Sequence, residues 1–183
     1  MNARSPAERA AWDFVAAQGA SGTLVTVLPS GVFGPVLTAE GIGSVGLVQR
    51  LLTGAMPGTP RLGFNVIDVR DLADLHIRAM TAPEAAGQRF IAAGDFLWMA
   101  DIAKILRDRL GERAAKVPTR QLPNFLLRLG ALFDPGLRDV APMLGHKHAY
   151  SSAKAQRVFG WTPRPAAQTI VDCANSLIAK GAV

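Results

Sequence analysis

The apolar positions along residues 64–80 change their period at Asp68. Residues 64–67 form a short, largely apolar run that predicts a strand. Beyond Asp68, apolar side chains recur every three or four positions, as on one face of a helix. The predicted inner face of this helix consists of Val69, Leu72, Ala73, Ile77 and Met80. Asp68 is placed to accept hydrogen bonds from the first free amides, and Asp71 adds negative charge there. Such a strand-to-helix junction is typical of α/β enzymes.

The first half of the chain alternates helices and strands. A helix is predicted over residues 7–18, with an inner side of Ala11, Trp12, Phe14 and Val15. The apolar, β-branched run 23–28, which Pro29 ends, indicates a strand buried on both faces of a parallel sheet. A Gly- and Pro-rich loop over 30–44, a short helix over 47–52 and a strand over 88–92 complete the pattern. This alternation implies right-handed crossovers and a parallel sheet.

The second half is predicted to be mostly helical. The first helix runs from Met99 to Leu110 and is closed by Gly111, and the second contains Leu122, Leu126, Leu129 and Phe133. A third helix over 137–144 is capped by Asp134-Pro135, and a fourth is capped by Ser151 or Ser152 and stops at Phe159-Gly160. The last helix contains Ile170, Ala174, Leu177 and Ile178. No linker separates the halves. We therefore expect a single unit, with the sheet in residues 1–95 and a helical lobe in residues 96–183.

Composition narrows the class of protein. The 183 residues are 49% hydrophobic and 19% charged, as in an ordinary globular domain. No apolar run is long enough to cross a membrane, and the N-terminus has no secretory pattern. The single cysteine, Cys173, fits a reducing cytoplasm and a buried, inert thiol. The net charge of +6 is scattered and aromatic residues are only 7%, so nucleic-acid binding is not expected.

Four motifs, taken in order, resemble the extended short-chain dehydrogenase/reductase family, most closely its members similar to dihydroflavonol reductases and nucleotide-sugar epimerases. These motifs are Ala7-Glu8-Arg9-Ala10-Ala11-Trp12, Leu28 to Pro35, Val66 to His76, and Phe159-Gly160-Trp161-Thr162-Pro163-Arg164. The resemblance implies an α/β fold in which this chain forms the C-terminal strands of an incomplete Rossmann-type parallel sheet. It also implies a mostly helical substrate-binding lobe.

The resemblance also implies that the family's catalytic residues fall outside this chain. Its Tyr-x-x-x-Lys pair lies just upstream of the Ala7 motif, so the lysine position is Arg4 and the tyrosine position precedes Met1. The family's Gly-rich cofactor turn lies further upstream still. We therefore assign no catalytic residue. We expect NAD or NADP in the complete parent enzyme, no tight cofactor binding by this chain alone, and no turnover by it. The alternative is a non-catalytic ligand-binding or regulatory module from the same family.

The resemblance places the candidate binding residues after the first strand. The cofactor-binding candidates, beside the nicotinamide, are Pro29, Ser30, Gly31 and Val32. The substrate-binding candidates are Phe33, Gly34 and Pro35, joined by Asn65 and Tyr150 in the cleft between sheet and helical lobe. The expected partner is a small-molecule substrate that an NAD(P)-dependent oxidoreductase or epimerase acts on at a carbonyl or secondary alcohol.

Several other patterns have simpler explanations. Gly41, Gly43 and Gly46 match a dinucleotide fingerprint with Asp68 as its acid, but no buried strand leads into them and Asp68 is explained as a helix cap. His76 is predicted to pack on the apolar side of its helix. His146 and His148 are too few for a metal site. Because an incomplete sheet leaves an open edge and apolar helix faces, we expect homo-oligomers or low stability.

Overall fold

The computed structural model describes residues 5–39, 43–133, 135–148 and 150–183. Arg4, Gly41 and the predicted cap Asp134 lie outside these residues. The helices are α1 (Pro6–Ala17), α2 (Gly43–Leu52), α3 (Val69–Thr81), α4 (Met99–Leu110), α5 (Asn124–Gly130), α6 (Pro135–Val140), α7 (Ala153–Phe159) and α8 (Ala166–Ala179). The strands are β1 (Thr26–Pro29), β2 (Gly31–Phe33), β3 (Thr59–Pro60), β4 (Gly63–Asp68), β5 (Arg89–Ala92), β6 (Phe96–Trp98) and β7 (Gln121–Leu122).

The strands form three small sheets in which most pairs are parallel. β1 pairs with β5, β2 with β4, and β3 with β7, all in parallel, whereas β6 pairs antiparallel with β4. The predicted α/β class with parallel strands is therefore confirmed. The short strand β2 was not predicted, because its Gly-rich sequence has the composition of a loop.

The main core brings both halves of the chain together. Phe33 and Val66 from the strands pack in one buried cluster with Leu106 of α4 and Leu177 of α8. The prediction for α4 is confirmed at both ends, because the helix runs from Met99 to Leu110. Gly111 closes it with a φ of 55°, a backbone conformation that residues other than glycine rarely adopt. The division at residue 95 stays a prediction, and β6 on its far side pairs with β4.

The predicted inner face of α3 is wrong except at Leu72, which is half-buried and packs against the core. The side chains of α3 that the fold buries are Leu75 and Ala79, whereas Val69, Ile77 and Met80 are 41%, 63% and 84% exposed. Apolar residues occupy two overlapping stripes of this helix, and the spacing alone does not select between them. Contact with β4 and α7 selects the Leu75 stripe. His76 accordingly is exposed rather than packed, with its Nδ1 2.8 Å from the Leu72 carbonyl oxygen.

The N-terminal helix is also less buried than predicted. Ala11 is exposed and Phe14 is 67% exposed, and Trp12 and Val15 are half-buried. The following strand begins three residues later than expected and is only partly buried, because β1 pairs with β5 alone among the described strands. α1 is held instead by its polar side, where Glu8 binds Arg89 of β5.

The aromatic and sulfur side chains divide between core and periphery. Trp161 is buried, and its Nε1 donates to the Asp71 carbonyl oxygen at 2.9 Å. Trp98 and Phe159 are half-buried, so they anchor the core less completely than expected. Cys173 is buried as predicted, and burial raises the pKa of its thiol to about 11.

No helix in the described part of the chain is long and apolar enough to cross a membrane.

Candidate functional site

The candidate site lies where the chain passes from one sheet to the next. β1, which pairs with β5, ends at Pro29. After Ser30 the chain continues into β2, which pairs with β4 instead. The backbone amide of Ser30 still donates to the carbonyl oxygen of Ala92 at 3.0 Å. Gly31 then pairs with Val66, and a Cβ at Gly31 would lie 3.2 Å from the Asn65 carbonyl oxygen. A side chain here would require the neighbouring strand to shift by a few tenths of an ångström, so the close approach favours glycine.

A cavity of about 690 Å³ opens at this crossing. Its volume is in the range of sites that hold small molecules. It lies between the strand ends on one side and the residues around Tyr150 on the other. Its wall consists of Leu28, Pro29, Ser30, Gly31, Gly63, Phe64, Asn65, Arg89, Ile91, Phe96, Met143, His148, Tyr150 and Ser151. Six of these residues carry apolar side chains and six carry polar ones, which suits a ligand with both an apolar body and polar groups.

Two cavity-lining residues, Asn65 and Ser30, each have a buried polar atom without a partner in the part of the chain that the structure describes. The Asn65 side-chain amide nitrogen donates to the Gly94 carbonyl oxygen at 3.0 Å, and the residue is only 7% exposed. Among the described residues, none donates a hydrogen bond to Asn65 Oδ1, and Ser30 Oγ likewise has no partner. Buried polar side-chain atoms are usually hydrogen-bonded, so these two atoms are candidates for binding a ligand.

The charge at the cavity wall is balanced. Arg89 donates from Nε to Glu8 Oε1 at 2.7 Å and from Nη2 to Oε2 at 3.1 Å, and Thr26 Oγ1 donates to the same carboxylate at 3.1 Å. Burial opposes ionisation of Glu8, but the hydrogen bonds from Arg89 and Thr26 outweigh it and lower its pKa. The guanidinium of Arg89 is therefore matched by a carboxylate rather than free to bind an anionic ligand.

The loop on the far side of the cavity carries aromatic and basic side chains. The rings of His148 and Tyr150 stack with centroids 6.4 Å apart, and Tyr150 is 54% exposed. The ammonium of Lys147 lies 5.2 Å from the centroid of the Phe96 ring. Among the described residues, no group of three or more His, Cys, Asp or Glu side chains is placed to hold a metal ion.

The structure brings five of the nine candidate binding residues together. Pro29, Ser30, Gly31, Asn65 and Tyr150 line the cavity, and Val32 and Pro35 do not. Phe33 is in the core at 1% exposure. A Cβ at Gly34 would meet Val69 and Asp68 rather than open space. The binding roles remain predictions for all nine residues, but the packing of Phe33 and Gly34 gives each a structural explanation.

The sequence did not identify several residues of the cavity wall. Phe96, Met143 and Ile91 come from three different segments that only the tertiary fold brings together. Arg89 carried a usable signal, since a charged residue at the start of a short, partly buried strand requires a partner.

Asp68 belongs to a separate, fully paired cluster. It caps α3 by accepting from the Arg70 amide at 2.9 Å, and it accepts from the Arg70 guanidinium at 2.9 and 2.8 Å. Arg70 also binds Asp172, and Arg164 binds Asp71. Burial opposes the charge on Asp68, yet the hydrogen bonds from Arg70 lower its pKa. The predicted role of Asp68 as a helix cap is confirmed. This role explains the acidic residue without assigning it to the ribose of a dinucleotide.

Comparison with protein-family models gives no match. Comparison with curated proteins gives reductases. The chain is 27% identical over 180 residues to the ketoreductase azaE of Aspergillus niger, which covers 94% of the chain and 48% of that protein. It is 33% identical over 106 residues to cinnamoyl-CoA reductase 1 of Oryza sativa subsp. japonica, covering 58% of the chain and 30% of the reductase.

A solved structure gives the same assignment. Yeast methylglyoxal/isovaleraldehyde reductase Gre2, complexed with NADPH, matches with a TM-score of 0.70 and 25% identity, covering 97% of the chain and 50% of that protein. The chain thus spans about half the length, or less, of the relatives it matches. Together with the parallel α/β fold, these matches show that the chain belongs to the extended short-chain dehydrogenase/reductase family and corresponds to the C-terminal part of its proteins.

Proposed function

We propose that this chain is the substrate-binding part of an NAD(P)-dependent reductase or epimerase that acts on a carbonyl or secondary alcohol. The cavity at the β1–β2 crossing supports the proposal most strongly. It combines apolar side chains with two polar atoms, at Ser30 and Asn65, that have no hydrogen-bond partner within the described ranges of the chain. In open parallel sheets, ligands bind beyond the carboxyl ends of strands, and Ser30 directly follows such an end.

The cavity fits the ring end of a nicotinamide cofactor better than its phosphates. Pro29 and Gly31 offer a small, apolar surface against which a flat ring can lie. Arg89 is matched by Glu8, so it is not free to neutralise a phosphate. Bound NADPH would supply the hydride, while this chain would orient the substrate and exclude water. We therefore propose that the chain alone binds no cofactor tightly and turns over no substrate.

A ligand titration tests the proposed site. Acetophenone, a neutral aryl ketone, is added to the isotopically labelled chain, and the backbone amide signals are followed by NMR. We expect shifts at Ser30, Gly31 and Asn65, and we expect Ile91→Trp to remove them by filling the cavity. Ile77→Trp, on the exposed face of α3, is the matched control and leaves them unchanged. Ketone shifts that are absent, or that survive Ile91→Trp, would overturn the proposal.

Two further assays test whether the isolated chain turns over substrate and whether it binds NADPH. NADPH oxidation, followed by absorbance with the same ketone, is expected to stay at the buffer rate, and turnover above that rate would contradict the inactivity. Calorimetric titration with NADPH is expected to show no tight binding. The chain can also be assayed in a complex with a protein that supplies the missing N-terminal half. If that complex binds the ketone but shows no turnover, the result would instead favour a ligand-binding module.

We also propose that copies of the chain associate in the cytoplasm. Phe14, Ile77, Met80 and Phe133 are each more than half exposed and apolar. Sedimentation velocity at increasing concentrations is expected to show larger species. A single monomer species across the concentration range would refute the association.

A further inference from the structure

We infer that the ligand of the β1–β2 cavity is a neutral molecule that carries a hydrogen-bond donor, a hydroxyl or an N–H group, which Asn65 Oδ1 and Ser30 Oγ bind. This inference rests on the proposed function and specifies its substrate class. Asn65 and Ser30 are then the residues that bind the donor group of the ligand. A substrate of this class carries the donor in addition to its reacting carbonyl, as a hydroxy ketone does.

The hydrogen bond to Gly94 fixes the orientation of the Asn65 amide. Its nitrogen donates to the Gly94 carbonyl oxygen at 3.0 Å. The flipped amide would place two oxygens against each other, so the network determines which atom is which. The unpartnered atom is therefore Oδ1, which only accepts hydrogen bonds. A ligand group next to it must donate, and a carboxylate or phosphate oxygen without a proton would be repelled.

Ser30 stands next to Asn65 across the strand pair. Gly31 and Val66 are partners in the parallel register, and Ser30 and Asn65 immediately precede them. Both residues line the cavity, and both have a buried polar atom without a partner among the described residues. A serine hydroxyl accepts hydrogen bonds as well as donating them, so Ser30 Oγ and Asn65 Oδ1 can both accept from a ligand donor, which the methyl ether lacks.

The charges around the cavity also favour a neutral ligand. The guanidinium of Arg89 is held by the Glu8 carboxylate in a two-point pair, with side chains that are 20% and 8% exposed. An anion at the cavity would have to compete with this buried carboxylate for the same cation. The ammonium of Lys147 lies on the Phe96 ring at the exposed rim. A neutral donor does not have to compete with Glu8 for Arg89, and it needs no cation at the rim.

Three aryl ketones of similar shape test the inference. α-Hydroxyacetophenone carries the donor, α-methoxyacetophenone replaces it with a methyl ether, and phenylglyoxylate replaces it with an anion. Dissociation constants come from NMR titration of the intact chain. We expect the hydroxy ketone to bind about three- to tenfold more tightly than the ether, the range of one hydrogen bond, and the anion to bind most weakly.

Ser30→Ala and Asn65→Leu locate the effect. Each is expected to bring the hydroxy ketone to the affinity of the ether while leaving the affinity of the ether unchanged. Ser21→Ala, at an exposed position before β1, is the matched control and keeps the preference. Ser30→Ala keeps the test valid if Asn65→Leu fails to fold, because Ser30 Oγ has no partner to lose among the described residues.

The possible failures are distinguishable. If the ketones bind and Ile91→Trp blocks them, but hydroxy ketone and ether bind equally, the inference is wrong and the proposed function stands. A preference that survives both Ser30→Ala and Asn65→Leu, or a preference for phenylglyoxylate, also overturns it. If no ketone binds in the cavity, the proposed function and the inference fail together.

Discussion

Two polar groups on strand β4 lie three residues apart and are treated in opposite ways by the fold. Asp68 is 1% exposed, and both of its carboxylate oxygens are bound by Arg70. Asn65 is 7% exposed, and its Oδ1 has no partner among the described residues. The fold satisfies the polar atoms that hold α3 to the strand, whereas Oδ1 of the cavity-lining residue Asn65 has no partner in the part of the chain that the structure describes. The first group stabilises the fold, and we propose that the second binds a ligand.

Removing the paired carboxylate is expected to have the largest effect on stability. Asp68→Ala deletes the cap of α3 and leaves Arg70 without its buried partner, at a cost of about 2–4 kcal/mol in the free energy of unfolding. Urea unfolding measures this change. Asp108→Ala is the control, since Asp108 pairs with Lys104 on the exposed face of α4 and its loss costs less than about 0.5 kcal/mol. Equal effects at the two positions would contradict the structural role of Asp68.

The same carboxylate predicts the response to acid. The pKa of Asp68 is lowered in the folded chain from its ordinary value of 3.8, so its contribution is complete above that value and is lost as the pH falls through the folded pKa. Stability should therefore decline below about pH 4. In Asp68→Asn, which keeps a capping side chain, the decline is expected to be shallower. An identical pH profile for both proteins would assign acid sensitivity to other groups.

Asn65→Leu should have an intermediate effect. It removes the hydrogen bond to Gly94 and leaves that carbonyl oxygen without it, which costs about 1–2 kcal/mol in the free energy of unfolding. Chemical unfolding of this variant measures the cost. A loss as large as that of Asp68→Ala would show that Asn65 is held by more contacts than its single bond to Gly94.

These differences also show how far the sequence could predict the molecule. The junction at Asp68, helix α4 with its closing glycine, and the parallel α/β class follow from local patterns, because each is fixed by residues close together in the chain. The inner face of α3 did not follow, since two apolar stripes compete and only packing against β4 and α7 selects one.

The candidate site was predictable only in part. The family resemblance led to Pro29, Ser30, Gly31, Asn65 and Tyr150, which the structure brings to one cavity. It also suggested Phe33, whose side chain β2 turns into the core. Phe96 and Met143 join the wall from distant segments, and no local pattern marks such a meeting.

The smallest effect on stability is expected at Ser30. Because Ser30 Oγ is buried and has no partner among the described residues, Ser30→Ala should not destabilise the fold, and it should raise the free energy of unfolding by less than about 1 kcal/mol. Thermal unfolding with and without α-hydroxyacetophenone separates the two roles of the residue. A clear loss of stability without ligand would place Ser30 with Asp68 among the structural groups.

The position of a bound hydroxy ketone shows whether the β1–β2 cavity is the binding site. Backbone amide shifts on adding α-hydroxyacetophenone are recorded for the unaltered chain and for Ile91→Trp. We expect shifts at Ser30, Gly31 and Asn65 that disappear when the tryptophan fills the cavity. Shifts centred on the paired cluster around Asp68, or no shifts at the β1–β2 crossing, would contradict this assignment.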